Sequence, residues 1–167
     1  MLSEGCIRSY GISTNSLDVL KRFNANGTCS VVQVDYSLLN RAPEDAFLPY
    51  CQENGIAVMV RGPLAKGLLS GRYTKGSIFT DTVAPLDGPT IPPQHAKYEQ
   101  QIEQVERLAQ VVRPGAEMVN AAIAYTFSHP AVSVTIPGAK SAEQARMNAA
   151  AGQKVLTSEE LAALASA

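Results

Sequence analysis

The chain has 167 residues, 46% of them hydrophobic and 17% charged, and its formal net charge is −1. That length suits one domain, residues 1–167, built around a single core. The nearly neutral charge, with Lys and Arg spread along the chain, argues against a nucleic-acid surface, which typically carries a basic cluster.

The sequence also argues against a membrane or secreted protein. No apolar run approaches the roughly 18 residues that a membrane helix needs, and residues 1–5 lack the layout of a signal peptide. The three cysteines, Cys6, Cys29 and Cys51, form no CxxC pair. We therefore expect buried thiols in a reducing cytoplasm, with neither a disulfide nor a metal site.

The first part of the chain alternates β-branched runs with amphipathic stretches, a pattern that predicts strands separated by helices. In chain order the predicted elements are a strand over 6–12, a helix over 16–24, a strand over 30–35, a helix over 44–54, a strand over 57–60 and a short apolar helix over 64–69.

Residues 73–93 are rich in proline and show little periodicity, so a long irregular loop is predicted there. The second of the two helices that follow is nearly apolar all round, which predicts deep packing, and Pro130 ends it. The remaining predicted elements are helices over 96–112 and 117–128, a strand over 131–136, and two helices that open with the capping boxes Ser141/Gln144 and Thr157/Glu160.

Strands separated by helices indicate parallel βαβ units with right-handed crossovers. Four strands fit two architectures, a small open α/β sheet or half of an eight-stranded (β/α)₈ barrel, and periodicity does not choose between them. A complete barrel of that type needs about 250 residues.

Ligand groups in parallel α/β folds gather at the carboxyl ends of the strands. After the last strand, Pro137-Gly138-Ala139-Lys140 precedes a capped helix, where free backbone N–H groups, the helix dipole and Lys140 favour a phosphate. The same pattern also suits an ordinary turn with a solvated lysine. Gln33, inside an apolar strand, either bonds neighbouring backbone or binds a carboxamide. Arg61 ends its strand and is either solvated or directed at a binding site.

Other reactive side chains carry little signal. His95 and His129 are typical of surface or capping residues, and no catalytic triad order, metal-ligand spacing or Walker loop appears. Tyr10 and Tyr36 would serve as acids only beside a base or a cation, and the sequence shows none near them.

Four segments in order resemble the aldo-keto reductase family, and the resemblance spans essentially the whole chain. They are similar to strands five to eight of the family's barrel with the loops that follow, namely Ile7–Ser13, Val32–Arg41, Gly55–Gly71 and Ile136–Gln144 with Asn148. The resemblance implies the C-terminal half of a TIM (β/α)₈ barrel that binds NADP(H) and belongs to an enzyme that transfers hydride to an aldehyde or ketone.

By resemblance, the cofactor would lie along these strand ends. The implied cofactor-binding residues are Ser13, Thr14 and Gln33 for the nicotinamide carboxamide, Arg61, Gly62, Leu64 and Lys66 for the ring and pyrophosphate, and Gly138, Lys140, Gln144 and Asn148 for the adenosine end. Thr14 replaces the family's frequent Asn, and Arg61 stands where many members have an aromatic ring. Gly138 occupies the position of a common 2′-phosphate Lys, so Lys140 is the expected substitute.

The family's catalytic Asp, Tyr, Lys and His come from the first four βα units, so no residue of this chain matches them. We expect a chain that is inactive alone, either as a homodimer of two half barrels or as a fragment of a longer protein. A non-catalytic half barrel that binds nucleotide or is structural, and an unrelated α/β interaction module, are the alternative functions.

Overall fold

The computed structural model describes residues 1–75, 77 and 92–167, and in the last range it describes side chains from residue 97 onward. The four strands are β1 (Gly11–Ser13), β2 (Val31–Asp35), β3 (Ala57–Arg61) and β4 (Val132–Ile136). The helices are α1 (Leu17–Phe23), α2 (Phe47–Glu53), α3 (Pro92–Leu108), α4 (Ala116–Ser128), α5 (Ala142–Ala150) and α6 (Ser158–Ser166), and short 3₁₀ turns span Ala42–Glu44, Ala65–Ser70 and Ala151–Gln153.

The four strands form one parallel sheet in the order β1-β2-β3-β4, as the strand–helix alternation predicts. β2 pairs with β3 over five residues in register, from Val31 with Ala57 to Asp35 with Arg61. The ladder between β3 and β4 shifts register between Val58 and Met59. All four carboxyl ends therefore lie along one edge of the sheet.

The two faces of the sheet differ in burial. Val32, Val34, Val58 and Val60 are fully buried, and they pack into one hydrophobic core with helix residues such as Leu20, Leu48 and Ile102. Residues alternate between faces along a strand, so Gln33, Asp35, Met59 and Arg61 point to the opposite side, where all four are only half-buried. We call this side, defined by those four residues, the open face.

Helix α4 is as deeply packed as its apolar sequence predicts, because eight of its thirteen residues are buried. None of the helices in the described ranges combines the length and the apolar character needed to cross a bilayer. Cys29 and Cys51 are buried free thiols, as expected, whereas Cys6 is exposed, which contradicts the expectation for that residue. Residues 1–9 lie off the sheet, so nothing covers the Cys6 side chain fully.

Two strand and loop boundaries differ from those predicted. The first strand covers only Gly11–Ser13, because β2 begins at Val31 and offers no ladder to residues 6–9. The loop predicted over 73–93 lies mostly outside the described residues, and Pro92 and Pro93 belong to the start of α3. Proline is tolerated in a first helical turn, where its missing N–H has no partner to lose.

The apolar helix predicted over 64–69 is instead a kinked 3₁₀ segment, because Lys66 and Gly67 have left-handed backbones. The second capping box, at Thr157 and Glu160, is complete. The first is only half formed, because the Ser141 hydroxyl accepts from the Gln144 N–H but the Gln144 side chain accepts from Lys140 instead of Ser141.

Candidate functional site

The carboxyl edge of the sheet brings together the strand-end residues singled out in the sequence. Ser13 of β1 pairs with Gln33 of β2, and the next residues along, Asp35 and Arg61, pair across β2 and β3. Arg61 in turn pairs with Ile136, which leads into the Lys140 turn. The candidate site is thus a continuous band across all four strand ends.

Gln33 has spare hydrogen-bonding capacity on the open face. Its Nε2 atom donates to the Met59 sulfur at 3.4 Å. A thioether is a weak acceptor, so this contact does not satisfy a half-buried amide in the way a carbonyl partner would. The alternative hypothesis from sequence is that the Gln33 side chain bonds neighbouring backbone, and no such bond forms among the described residues. The side chain is therefore placed to bind a polar ligand.

Ser13 and Thr14 lie beside Gln33 at the end of β1. Ser13 is exposed, and the Thr14 backbone N–H donates to the Gln33 carbonyl at 3.0 Å, which extends the ladder past the strand. The Thr14 hydroxyl accepts from the Ser16 N–H at 3.1 Å, and Ser16 then caps α1. Because the hydroxyl proton of Thr14 takes no part in that turn, it stays available to a ligand.

Arg61 is held by acceptors on β2 and in the turn that follows β1. Its Nη1 lies 3.4 Å from Oδ2 of Asp35, and its Nη2 donates to Oδ1 of Asn15 at 3.2 Å. The same Asn15 oxygen accepts from the Asp35 backbone N–H at 3.0 Å. The alternative of a freely solvated Arg61 therefore does not hold. Asn15 and Asp35 were absent from the predicted cofactor-binding residues, although Asn15 lies shortly after the first predicted strand and Asp35 ends the second.

The loop after β3 has an unusual backbone. Gly62, Ala65, Lys66 and Gly67 all have positive φ angles, at +67°, +46°, +57° and +94°. Left-handed backbone at a residue other than glycine costs about 1 to 2 kcal/mol, and two such residues in succession are rare outside functional loops. Lys66 is exposed, whereas Leu64 is half-buried and anchors the loop by packing on the core.

The turn after β4 is held in shape by two residues predicted to bind cofactor. Oε1 of Gln144 accepts from the Lys140 backbone N–H at 2.7 Å. Nδ2 of Asn148 donates to the Gly138 carbonyl at 3.1 Å. Both side chains thus fix the turn that presents the exposed Lys140 side chain. The turn therefore brings together the four residues predicted for the adenosine end of the cofactor, Gly138, Lys140, Gln144 and Asn148.

The most perturbed titratable groups lie away from this band. Glu44 accepts from the hydroxyls of Tyr36 at 2.7 Å and Tyr125 at 2.9 Å, and from Nη2 of Arg41 at 2.8 Å. Burial and then the bond to Glu44 raise the pKa of Tyr125 to about 12, and the same causes raise the pKa of Tyr36 further. Tyr36 is only 1% exposed. Tyr36 does have a base and a cation nearby, which the sequence did not show, but it is inaccessible to a substrate.

Among the described side chains, neither His129 nor the acidic groups form a further site. Nδ1 of His129 accepts from the Ala131 backbone N–H at 3.2 Å, a capping contact, and burial lowers its pKa. The side chain of His95 lies outside the described residues. Across the described part of the chain, no group of three or more His, Cys, Asp or Glu side chains is arranged to hold a metal ion.

Comparison with known proteins assigns the class that this parallel α/β fold and its strand-end site suggest. The family model described as the aldo/keto reductase family matches residues 1–167, so the chain belongs to that family. An uncharacterized oxidoreductase, YqkF of Bacillus subtilis (strain 168), is 33% identical over 168 residues, covering 98% of this chain and 51% of YqkF.

Solved structures agree with this assignment. The holo form of the aldo-keto reductase AKR11C1 from Bacillus halodurans superposes with a TM-score of 0.72 at 28% identity, covering 98% of this chain and 51% of that one. An aldo/keto reductase from Klebsiella pneumoniae in complex with NADP and acetate superposes with a TM-score of 0.62 at 31% identity, covering 98% and 49%. The chain spans about half the length of these relatives. Family membership excludes the unrelated interaction module considered from sequence.

Proposed function

We propose that this chain is the cofactor-binding part of an NADP-dependent carbonyl reductase, equivalent to the C-terminal half of the family's barrel. The observation that carries the proposal is the half-buried Gln33 amide on the open face, whose described partner is only a thioether. The Klebsiella relative binds NADP, and general nicotinamide-cofactor binding follows from the family. When bound, NADPH would supply a hydride to the carbonyl carbon of an aldehyde or ketone.

Different residues along the strand ends would hold different parts of the cofactor. Gln33, with the hydroxyls of Ser13 and Thr14, would hold the nicotinamide carboxamide. Arg61 would face the ring. The left-handed loop, including Gly62, Leu64 and Lys66, would turn its backbone and the Lys66 charge toward the pyrophosphate. Lys140 would pair with the 2′-phosphate, while Gln144 and Asn148 hold its turn and Gly138 in place.

We propose further that the isolated chain does not reduce carbonyls. The tyrosines considered from sequence are already engaged where the structure describes them: Tyr36 is buried against Glu44, and the Tyr10 hydroxyl is hydrogen-bonded to Thr28. His129 serves as a cap. Loss of a positioned general acid typically removes about 10²- to 10⁴-fold in rate. A non-catalytic nucleotide-binding or structural role is the alternative, and it predicts cofactor binding without turnover.

The partner we propose is a second copy that closes the barrel, with β4 of each copy beside β1 of the other. Both are edge strands, and open edges of this kind favour pairing with another chain. On β4, Val134 and Ile136 are 41% and 42% exposed. A groove of about 620 Å³ runs beside them, lined by Phe127, Ala145 and other residues of α4 and α5.

The free thiols at all three cysteines support placing the protein in the cytoplasm.

Cofactor binding is tested by titrating NADPH and NADH separately into the purified chain and into Lys140→Ala. Loss of a charge-assisted contact to the 2′-phosphate is expected to weaken NADPH about tenfold and to leave NADH unchanged. Lys21→Ala is the matched control, because Lys21 lies in the last turn of α1, toward the other edge of the sheet. Absence of NADPH binding up to millimolar concentration would refute the proposed function.

Closure by a second copy is tested by light scattering after gel filtration. The wild-type chain is expected to elute at twice its chain mass, and Val134→Lys is expected to shift it to monomer. Val155→Lys is the control, because Val155 is 89% exposed and lies outside all four strands. A compact monomer at high concentration would refute the homodimer and leave the cofactor proposal unaffected.

A further inference from the structure

The pair formed by Asp35 and Arg61 places opposite charges side by side on the open face. Asp35 lies two residues beyond Gln33 on β2, and Arg61 is its register partner on β3. Neighbouring strands are about 4.8 Å apart and residues rise about 3.3 Å along each, so the Cα atoms of both residues lie within about 8 Å of the Gln33 Cα atom. A ring held through Gln33 would therefore lie beside both.

The structure holds the Asp35 carboxylate close to Arg61 from several directions. Asn15 bonds both the Arg61 guanidinium and the Asp35 backbone N–H. On the far side, a Cβ atom built at Gly62 would lie 2.9 Å from Oδ1 of Asp35, so glycine leaves the room that the carboxylate occupies. Nδ2 of Asn40 donates to the Asp35 carbonyl at 2.9 Å. These contacts fix where the negative charge lies.

The location of that charge matters because the two forms of a nicotinamide cofactor differ in charge at the ring. The oxidised ring carries one positive charge that the reduced ring lacks, whereas the phosphates are the same in both. An unpaired Arg61 beside the ring would disfavour the oxidised form alone. A carboxylate 3.4 Å from the guanidinium offsets that effect.

We infer that Asp35 is a positioning residue that neutralises Arg61 and so sets the balance between oxidised and reduced cofactor at this site. The inference rests on the proposed cofactor binding, and it assigns to Asp35 the control of which cofactor form binds more tightly. The measured quantity is the ratio of the dissociation constants of NADP⁺ and NADPH. Every contact to the phosphates cancels in this ratio, because both forms carry the same phosphates. A residue with only a structural role would change both constants together.

The test is a charge cycle measured by calorimetric titration of NADP⁺ and NADPH into the full chain. Asp35→Asn is expected to weaken NADP⁺ relative to NADPH by about three- to tenfold, for a unit charge about 6 Å from the ring at an effective dielectric of about 40 to 80. Arg61→Met is expected to shift the ratio in the opposite direction. The double variant is expected to return toward the wild-type ratio.

Glu53→Gln is the control, because Glu53 is exposed at the end of α2, near the start of β3 and away from the carboxyl edge. Cofactor binding with a ratio that neither single variant changes would overturn the inference and leave the proposed function standing. Shifts of both single variants in the same direction would also overturn it. If neither cofactor form binds the wild-type chain, the proposed function fails and the inference fails with it.

Discussion

Glu44 is a polar position where a single substitution should have a large effect on stability. Its carboxylate accepts from the hydroxyls of Tyr36 and Tyr125 and from Arg41. Nη1 of Arg41 also donates to the Ala165 carbonyl at 2.6 Å, which connects this group to α6. Glu44→Ala would remove the shared acceptor and leave these donors behind.

The cost can be estimated donor by donor. The Tyr36 hydroxyl belongs to a side chain that is 1% exposed, so leaving it unpaired costs about 1 to 3 kcal/mol. Tyr125 is 7% exposed, so water partly replaces the lost bond, and leaving its hydroxyl without Glu44 costs about 1 kcal/mol. Arg41 is 37% exposed and loses at most about 1 kcal/mol. We therefore expect Glu44→Ala to lower the free energy of unfolding by about 2 to 5 kcal/mol.

Urea denaturation followed by circular dichroism measures this change. Glu117→Ala is the matched control, because Glu117 pairs with Arg113 at 3.5 Å where both side chains are largely exposed, and its loss should cost under about 0.5 kcal/mol. Tyr125→Phe is a milder variant, expected to cost about 1 kcal/mol, in case Glu44→Ala does not fold. A loss below about 1 kcal/mol for Glu44→Ala would refute the reasoning, because it would mean that the tyrosine hydroxyls find other partners.

Three further predictions follow from local features. Burial raises the pKa of Glu44, but the bonds from Arg41 and the tyrosines outweigh it and hold the pKa below the ordinary 4.5. Stability from this group is therefore present above pH 4.5 and lost as the pH falls below it, so thermal melts between pH 6 and pH 3.5 should fall less steeply in Glu44→Gln. Gly11→Ala should cost more than about 1 kcal/mol in urea denaturation and Gly152→Ala little, because a Cβ at Gly11 would lie 2.1 Å from the Val31 carbonyl oxygen and one at Gly152 meets nothing within 4 Å. In the native chain at pH 8 a thiol reagent should modify exposed Cys6 and spare Cys51, whose pKa burial raises to about 12, and equal rates would contradict this.

The sequence predicts β2 and β3 well because each has a short run with β-branched residues that a buried strand face accommodates. Val31–Asp35 and Ala57–Arg61 match the predicted strands to within one residue. The 64–69 segment fails for the opposite reason. Its apolar residues resemble a helix, and nothing in the residue types signals that Ala65 and Lys66 adopt left-handed backbones.

The site shows a similar division between local and long-range information. Gln33 could be placed inside a strand and Arg61 at a strand end, because the residue pattern along a strand is local. Their partners could not be found this way, because the meeting of Asp35 with Arg61 depends on the register between β2 and β3. Glu44 and Tyr125 are 81 residues apart in sequence, and only the packing of α4 brings them together.

The contacts that shape the proposed cofactor site are internal to this chain. Asn15, Asp35 and Arg61 bond one another, and Gln144 and Asn148 hold the Lys140 turn. None of these contacts depends on β4 having a neighbour at its open edge. Binding of cofactor and pairing with a second copy are therefore separable properties. A chain that binds NADPH as a monomer would show that the site forms without a second copy.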